Sequence, residues 1–435
     1  MKIGVIGLGF VGLSLATVLA SKDIHTIGID TDKEKCKKIS KGIPPFFEPS
    51  LEKILKISLK KKFIISNDFS LLHDCEFIFV TVGTPQRKNG TIDLSLIKTA
   101  SKQIGQVINT SKKRQTIIIK STVIPGTISN TILPILENFS HKKANKDFGL
   151  ISNPEFLQES SAIKDTKFPH AIILGGKKNI FMNKFYNFLK KIHPNISIII
   201  TNFQSAEIIK YANNSFLATK ITFINQLSNI CQKIPEANID DISKAIGLDP
   251  RIGSLFLNAG PGYGGSCLPK DMKALINFSK QVGIKPLFLD AVEKTNSNQV
   301  EQIIKLTKQK LGKIHSKKIS VLGLAFKPDT DDIRDSISIT LLRKLIRNNV
   351  IITVHDPKAI ENTKKIFSNK IKYTKSIDDA LTNSECVIIM TPWKEYSKIN
   401  NRLIGKMKKK VIIDSRRILV NSNLNCDYSA LGIGS

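Results

Sequence analysis

Short apolar runs bounded by glycine, hydroxyl and charged residues recur along the chain. Runs of this length are typical of parallel strands that are buried on both faces. At the start of the chain the pattern predicts a strand over residues 3–6, a helix over 13–20 and a second strand over 25–29. Further strands are predicted over residues 76–82, 116–119 and 149–151. This alternation of strand and helix indicates an α/β fold with a parallel sheet.

The middle and the end of the chain follow different patterns. From Ser205 to about Cys231 apolar side chains return with helical spacing, which predicts one long amphipathic helix. Near Ser316 a strand-then-glycine pattern begins again, and strands are predicted over residues 351–354, 386–390 and 411–413. The sequence therefore predicts two doubly wound, Rossmann-like domains joined by a long central helix.

Length and composition limit the class of protein. The chain has 435 residues, of which 41% are hydrophobic, enough for two or three domains with cores of their own. No stretch resembles a transmembrane helix. The apolar N-terminus could pass for a signal peptide, but its regularly spaced glycines favour a nucleotide loop, so we expect a cytoplasmic protein. The six cysteines are scattered without metal-ligand spacing, so we expect a reducing compartment and no metal.

The net charge of +30 raises the hypothesis that the protein binds nucleic acid or a membrane surface. The lysines are spread along the chain, however, and no basic stripe interleaved with aromatic residues is present. We therefore expect neither nucleic acid nor a membrane as a partner. The charge would still help to attract an anionic substrate.

The opening segment has the parts of a dinucleotide-binding site. GLGFVG follows the first predicted strand, and in this motif Gly7 permits the tight turn, Gly9 admits the pyrophosphate and Gly12 packs the helix against the sheet. Asp30 ends the second strand, where its carboxylate would bind the ribose hydroxyls and favour NAD over NADP.

Polar residues follow three of the predicted strands. Thr84 and Thr122 lie where the carboxyl ends of parallel strands carry ligands, although both also suit ordinary turns. Glu155 and Glu159 are four residues apart, a spacing that would place both carboxylates on one face of a helix. There one could act as a general base toward water, or both could simply stabilise a solvated helix N-terminus.

Later segments carry further candidate chemistry. Lys210 and Asn214 lie one turn apart on the predicted central helix, where they could bind an oxyanion and a water or be ordinary surface residues. Cys267 lies in GPGYGGSCLPKD, three residues before Lys270. A thiol near a cation suits nucleophilic catalysis, although an incidental buried cysteine would look the same. Basic residues beyond the later strands could hold phosphate; they are Lys327, Arg334, Arg416 and Arg417.

Seven segments together resemble the UDP-glucose/GDP-mannose dehydrogenase family. The resemblance covers almost the whole chain. The segments are, in order, GLGFVG, VGTP, KSTVIPGT, NPEFLQE, KYANN, GPGYGGSCLPKD and GLAFKPDTDDIRDS. The resemblance implies an NAD-binding domain over residues 1–200, a helical dimerisation domain with the cysteine over 201–300 and a UDP-sugar-binding domain over 315–435. It also implies a homodimer that oxidises the C6 alcohol of a nucleotide sugar to a carboxylate in two NAD-dependent steps.

The resemblance implies a role for each catalytic residue. Cys267 would form first a thiohemiacetal and then a thioester with the substrate carbon. The other groups would act on the oxyanion and the hydrolytic water. They are Lys210 for the oxyanion, Asn214 and Thr122 for the ordered water, Glu155 as the base and Asp271 as an orienting group.

Binding residues are implied in the same way. Candidate NAD-binding residues are Gly7, Gly9, Val11, Gly12, Asp30, Lys35, Thr84, Thr122, Glu159, Lys270 and Arg334. Candidate substrate-binding residues are Glu155, Phe156, Leu157, Lys210, Asn214, Arg251, Phe256, Leu257, Asn258, Ala259, Gly260, Gly264 and Lys327. Of these, Arg251 would reach the substrate of the partner subunit.

The identity of the substrate is open to alternatives. NPEFLQE favours UDP-glucose over N-acetylated UDP-hexosamines, while GDP-mannose remains an alternative. Outside the family, a β-hydroxyacid or 6-phosphogluconate-type dehydrogenase has a similar lysine–asparagine helix but needs no cysteine. A non-catalytic NAD- or nucleic-acid-binding protein would explain the charge but leave GGSCLPKD without a role.

The chain departs from the family pattern at four positions, which are Gln158, His170, Ala171 and Pro392.

Overall fold

The computed structural model describes residues 1–87 and 89–434. The chain forms two compact units, of which the first ends at Asn213 and the second begins at Asn214. Each unit is built around a β-sheet whose strands are largely parallel. The expected α/β class, with two doubly wound sheets and a long central helix, is confirmed.

The first sheet has the order β3-β2-β1-β4-β5-β6-β7-β8 within the described residues. Its strands are β1 Lys2–Ile6, β2 His25–Ile29, β3 Phe63–Ser66, β4 Phe77–Val80, β5 Thr116–Ile119, β6 Gly149–Ser152, β7 Ile172–Gly175 and β8 Ile198–Thr201. Neighbours pair in parallel except β6 and β7, which meet antiparallel at Ser152 and Gly175. Because β1 lies between β2 and β4, the strand order reverses there, and a crevice for a ligand forms at the carboxyl ends.

Helices cover both faces of this sheet and bury its apolar side chains. They are α1 Phe10–Ser21, α2 Lys33–Ser40, α3 Leu51–Leu59, α4 Ser95–Thr110, α5 Leu133–Ser140, α6 Ala162–Lys167 and α7 Ile180–Ile192. On one face, Phe77 of β4 packs against Phe185 and Phe188 of α7, with ring centroids 5.2 and 5.1 Å apart. On the other face, isoleucines of the sheet pack against Ile97 and Ile104 of α4. Burial of both faces explains why these strands are continuous apolar runs.

The second unit contains a sheet of the order β11-β10-β9-β12-β13-β14 within the described residues. Its strands, all paired in parallel, are β9 Lys318–Leu322, β10 Ile351–His355, β11 Lys372–Tyr373, β12 Cys386–Ile389, β13 Val411–Asp414 and β14 Asp427–Ala430. The later helices are α9 Ile239–Gly247, α10 Leu268–Gln281, α11 Leu287–Leu311, α12 Ile337–Arg347, α13 Ile360–Phe367, α14 Ile377–Leu381 and α15 Asn401–Ile404. The long helix α8, Phe203–Cys231, begins in the first unit and continues in the second.

The prediction that Glu155 and Glu159 share a helical face is wrong. Both residues lie in an irregular segment, and α6 begins only at Ala162. Ser160 adopts a left-handed conformation with φ of 69°, and the Glu155 carboxylate accepts a hydrogen bond from the amide of Leu157. These constraints hold the backbone out of a helix until Ser161, so sequence spacing does not place the carboxylates on one face.

Candidate active site

The glycine-rich loop of the first unit closes tightly on itself. A Cβ atom on Gly12 would lie 1.9 Å from the carbonyl oxygen of Gly7, so only glycine allows α1 to approach the strand this closely. A Cβ on Gly9, in contrast, would meet no atom of the described residues within 4 Å. The loop is therefore packed at one end and open beside the N-terminus of α1, where a pyrophosphate would bind.

Asp30 is held at the end of β2 in the position expected for ribose recognition. Its Oδ2 accepts a hydrogen bond from the amide of Leu8 at 2.8 Å, and its Oδ1 accepts one from the amide of Asp32 at 3.0 Å. Lys35 forms an ion pair with Oδ2 at 2.9 Å. Val11 lies in the first turn of α1. The open loop and the fixed carboxylate fit an NAD molecule.

The threonines predicted at two strand ends lie together. Thr84 Oγ1 donates a hydrogen bond of 2.7 Å to the carbonyl of Thr122. Ser121 Oγ donates to the carbonyl of Val82, also at 2.7 Å. The loops that follow β4 and β5 are therefore connected, and Thr122 is presented at the carboxyl edge of the sheet.

A buried ion pair connects the loop after β6 to helix α8. Lys210 Nζ lies 3.2 Å from Glu155 Oε1, and the two side chains are 4% and 7% exposed. Burial would raise the pKa of Glu155, but Lys210, the Leu157 amide and Lys120 outweigh it and lower the pKa overall. A buried carboxylate that stays ionised is suited to accept a proton from water.

Lys120 and Asn153 are part of this cluster, and sequence reasoning missed both. Lys120 Nζ donates to Asn153 Oδ1 at 3.1 Å, while Asn153 Nδ2 donates to the carbonyl of Ile173. Burial lowers the pKa of Lys120 to about 8, and Lys210 adds to this effect while Glu155 opposes it. A signal was available, since Lys120 directly follows the apolar strand β5 and Asn153 directly follows β6.

Phe156 lies between two groups of the same unit. The centroids of the Phe156 and His170 rings are 5.1 Å apart, and Lys210 Nζ lies 5.6 Å from the centroid of the Phe156 ring. His170 is one of the positions at which the sequence departs from the family pattern, and here it packs against a candidate substrate-binding residue. Glu159 is buried a few residues further along the segment.

In the second unit, Cys267 occupies the N-cap of α10 and is partly exposed. Asp271, one turn into the helix, is 1% exposed. It accepts hydrogen bonds of 2.6 Å from Asn214 Nδ2 and from Lys270 Nζ. A negative charge on the thiol would be stabilised by the positive end of the helix, and Asp271 fixes the neighbouring polar groups.

The segment before the cysteine packs closely against the second sheet domain. A Cβ on Gly264 would lie 2.4 Å from the carbonyl oxygen of Asp335. A Cβ on Gly260 would lie 2.8 Å from Arg416 Nη1. A Cβ on Gly265 would lie 2.7 Å from the ring of Phe326, and Lys327 Nζ lies 5.7 Å from the centroid of that ring. The cysteine segment, Arg416 and the Phe326–Lys327 pair therefore belong to one region of this unit.

The basic residues of this unit have different surroundings. Arg416 Nε donates to the carbonyl of Met390, and burial lowers the pKa of Arg416 to about 10, so it remains a cation. Arg417 instead binds Asp240 and donates to the carbonyl of Ala259, so it stabilises the fold rather than holding phosphate. Arg334 makes a bidentate pair with Asp332, because its Nε donates to Oδ1 and its Nη2 donates to Oδ2.

The turn after α9 exposes one of the remaining candidates. Arg251 is 87% exposed and pairs with Asp249. Further along, Phe256 has a left-handed backbone with φ of 66°, and Leu257 and Ala259 are buried while Asn258 is exposed.

The second sheet repeats the layout of the first, but the carboxylate at the corresponding position binds five donors where Asp30 binds three. Gly323 N donates to the carbonyl of His355 at 2.9 Å, as Gly7 N does to Ile29 at 2.8 Å. Asp356 corresponds to Asp30 in position. Its carboxylate is occupied by donors from the surrounding fold, which are the amides of Leu324, Ala325, Lys358 and Ala359 and the indole of Trp393. This domain is therefore poorly suited to bind a second dinucleotide by its ribose.

Three family models match successive parts of the chain. Residues 1–196 match the NAD binding domain of the UDP-glucose/GDP-mannose dehydrogenase family, residues 204–298 its central domain and residues 320–421 its UDP binding domain. The chain belongs to this family. The predicted family and the predicted cofactor, NAD, are confirmed, as is the prediction of a nucleotide-sugar dehydrogenase.

Individual members of the family are similar over their full lengths. UDP-glucose 6-dehydrogenase of Rickettsia conorii is 38% identical, with 98% of this chain and 97% of the relative covered. UDP-glucose 6-dehydrogenase of Haloferax volcanii is 34% identical, with 99% and 100% covered. The structure of a UDP-glucose dehydrogenase from Pyrobaculum islandicum superimposes with a TM-score of 0.92 at 29% identity, with 99% and 98% covered.

The described residues contain neither a membrane-spanning helix nor a cluster of metal ligands. Among their helices, none combines the length and apolar character that crossing a membrane requires. Nor do three or more His, Cys, Asp or Glu side chains in this part of the chain come together as a metal site.

Proposed function

We propose that the protein oxidises UDP-glucose to UDP-glucuronate, using two molecules of NAD for each sugar. The relatives described above are named for this substrate, and the UDP binding domain accounts for the nucleotide. The observation that carries the proposal is Cys267 at the N-terminus of α10, because a simple alcohol dehydrogenase needs no nucleophile there.

The reaction removes four electrons from the C6 carbon and adds one oxygen atom from water. NAD, when bound, would be the hydride acceptor in both oxidations. The first oxidation converts the C6 alcohol to an aldehyde. Cys267 Sγ then bonds to the aldehyde carbon, and oxidation of the resulting thiohemiacetal gives a thioester. Water breaks the C–S bond of this thioester, which releases the carboxylate and returns the thiol.

The residues of the first unit would serve the charged stages of this sequence. Lys210 would stabilise the oxyanion that develops on the C6 oxygen. Glu155, kept ionised by its lysine neighbours, would take the proton of the hydrolytic water. Thr122 would hold that water in place. Glu155 and Lys210 are buried as an ion pair, which fits groups that must act away from bulk solvent.

The residues of the second unit would bind and position the substrate. Asn214 and Asp271 would orient the groups around the thiol, since they are hydrogen-bonded to each other. Lys327 and the backbone of residues 256–260 would contact the sugar nucleotide. We assign the phosphate-binding role to Arg416, which stays cationic. Arg417 does not take this role, because its guanidinium already donates to the carbonyl of Ala259.

The decisive experiment measures how much NADH forms per sugar consumed. UDP-glucose, GDP-mannose and UDP-N-acetylmannosamine are supplied in parallel, each with saturating NAD. We expect two NADH per UDP-glucose and no comparable turnover of the others. Cys267→Ala should abolish turnover, whereas Cys426→Ala, at another partly exposed cysteine, should leave it unchanged. One NADH per sugar, or full activity of Cys267→Ala, would favour the hydroxyacid-type mechanism instead.

We also propose that the protein is a homodimer in the cytoplasm. Helix α8 exposes Phe216, Phe223 and Ile230 at intervals of seven residues, so they lie along one face. Exposed apolar side chains in a row are typical of a surface that a partner covers. No disulfide joins any of the six cysteines, all of which lie in the described part of the chain, and this favours a reducing compartment.

A further inference from the structure

Glu207 is a buried carboxylate for which the proposed chemistry has no role. It lies in the first turn and a half of α8, three residues before Lys210, and is 3% exposed. Its Oε2 accepts a hydrogen bond of 2.6 Å from the amide of Gly126. Its Oε1 accepts one of 2.8 Å from the amide of Ile128. Each carboxylate oxygen thus holds a backbone amide from a segment more than seventy residues away in sequence.

The segment that Glu207 holds is the loop that carries Thr122. This loop leaves β5 at Ile119 and ends where a short π-helical turn, Ile128–Ile132, begins. Its first half is fixed by the hydrogen bonds of Ser121 and of Thr84 described above. Gly126, with φ of 89°, turns the chain back toward the helix, and Glu207 fixes that second half.

The same face of α8 reaches a second loop. Residues three apart on a helix lie on one side, and Lys210 pairs with Glu155 in the loop after β6. One stretch of helix therefore fixes the loops of two consecutive strands, β5 and β6, through Glu207 and Lys210. Any shift of the Gly126 loop would move Thr122 relative to Glu155.

Keeping Glu207 buried is unfavourable for the carboxylate itself. Burial raises the pKa of Glu207 to about 7, although the amides of Ile128 and Gly126 oppose the shift. A raised pKa means that the stability of the fold decreases as the pH rises from the ordinary value of 4.5 to about 7 and Glu207 ionises. Ionisation therefore opposes burial, and the side chain is held at this position by its two hydrogen bonds to backbone amides.

We propose that Glu207 is a positioning residue, which fixes the Thr122 loop against α8 so that Thr122 can hold the hydrolytic water. The proposal rests on the proposed function for its kinetic consequence, but the order of the loop can be measured without any substrate. Glu207 touches neither substrate nor NAD in this role and acts through the backbone of residues 121–128.

The test compares Glu207→Gln and Glu207→Ala with wild type. Glutamine is neutral and similar in shape, but its amide nitrogen would face a backbone N–H, so one of the hydrogen bonds is lost. We expect kcat to fall by about tenfold to a hundredfold in Glu207→Gln and further in Glu207→Ala, because a small misplacement of a reacting group has effects of this size. The KM for UDP-glucose should stay within about twofold, since the loop does not bind the nucleotide.

Hydrogen exchange of peptides covering residues 121–132 supplies the readout that needs no activity. We expect faster exchange at the amides of Gly126 and Ile128 in both variants. Glu385→Gln is the matched control, because Glu385 is also buried and accepts from a backbone amide, that of Lys318, at the amino end of β9. It should change neither kcat nor exchange in residues 121–132.

The outcomes separate this proposal from the proposed function. If wild type does not oxidise UDP-glucose, the proposed function fails, while faster exchange in the variants would still support the loop contact. Unchanged exchange in both variants would overturn the positioning role. If wild type is active, a kcat that is unchanged in both Glu207 variants would also overturn the positioning role. An equal fall of kcat in Glu385→Gln would overturn it as well.

Discussion

At the scale of single residues, the charges around Glu155 determine which proton transfers the site can support. A carboxylate that is removed from water normally has a raised pKa and is a poor anion. Here Lys210 lies in contact and Lys120 lies nearby, and together with the Leu157 amide they reverse the effect of burial. Glu155 is therefore available as a base at pH values where an isolated buried glutamate would be protonated.

Removal of Lys120 should move the acid limb of the pH–rate profile. Lys120→Met deletes a positive charge that lowers the pKa of Glu155, so that pKa should rise. At a given acidic pH less Glu155 is then ionised, and the fall of kcat on the acid side should shift to higher pH by a fraction of a unit. The profile of kcat between about pH 3 and 6 measures this shift, because it covers the range in which a glutamate of ordinary or lowered pKa titrates and it reports groups in the substrate complex.

A surface lysine serves as the control for that profile. Lys113 is 56% exposed and pairs with Asp74, so Lys113→Met should leave the limb where it is. An acid limb that is identical in wild type and Lys120→Met would show that Glu155 does not respond to Lys120 and that the base lies elsewhere.

The residues that sequence reasoning identified share one property. Gly7, Gly12, Asp30 and Cys267 stand in motifs whose spacing is fixed by local backbone geometry. Lys120 was not identified because its role depends on Asn153 and Glu155, which only the pairing of β5 with β6 brings close. Arg416 and Arg417 are adjacent and chemically identical, so their different roles depend on packing alone.

At the scale of elements, prediction succeeded where one physical effect dominates. Strand β5 has the predicted bounds, Thr116–Ile119, because a fully buried parallel strand must be apolar throughout. Strand β14 has the sequence DYSA and was not predicted, since it lies at the edge of its sheet and is partly exposed. The helix expected from Glu155 to Glu159 does not form, because Ser160 is left-handed and the Glu155 side chain binds the amide of Leu157.

The exposed face of α8 makes a prediction at this scale. Phe216 and Phe223 are 66% and 55% exposed, and the double variant Phe216→Glu/Phe223→Glu should dissociate the proposed dimer. Charged side chains on that face would have to be buried without partners when two copies meet. Size-exclusion chromatography with light scattering should give a dimer mass for wild type and a monomer mass for the variant.

An isolated exposed side chain provides the comparison. Ile180 at the start of α7 is 67% exposed, and Ile180→Glu should leave the mass unchanged. A dimer that persists in the phenylalanine double variant would show that another surface joins the subunits. A wild-type protein that is monomeric at all concentrations would exclude the homodimer directly.

At the scale of the whole molecule, the charge of +30 remains to be connected with function. Neither the motifs nor the family matches give it a partner such as nucleic acid. Both substrates of the proposed reaction, however, are anions that carry a pyrophosphate group. A strongly positive protein raises the local concentration of such ligands and speeds their encounter, although it does not alter the chemical step.

The field of the whole molecule should therefore make substrate binding depend on salt. The screening length falls from about 30 Å at 0.01 M salt to about 10 Å at 0.1 M, which removes the contribution of distant lysines. Over that interval we expect the KM for UDP-glucose to rise roughly threefold or more while kcat stays nearly constant. Potassium chloride and potassium acetate should act alike, because screening depends on ionic strength and not on a specific anion. A KM that does not change with salt would mean that the excess lysines lie away from the route of the substrate, and that the charge serves solubility rather than catalysis.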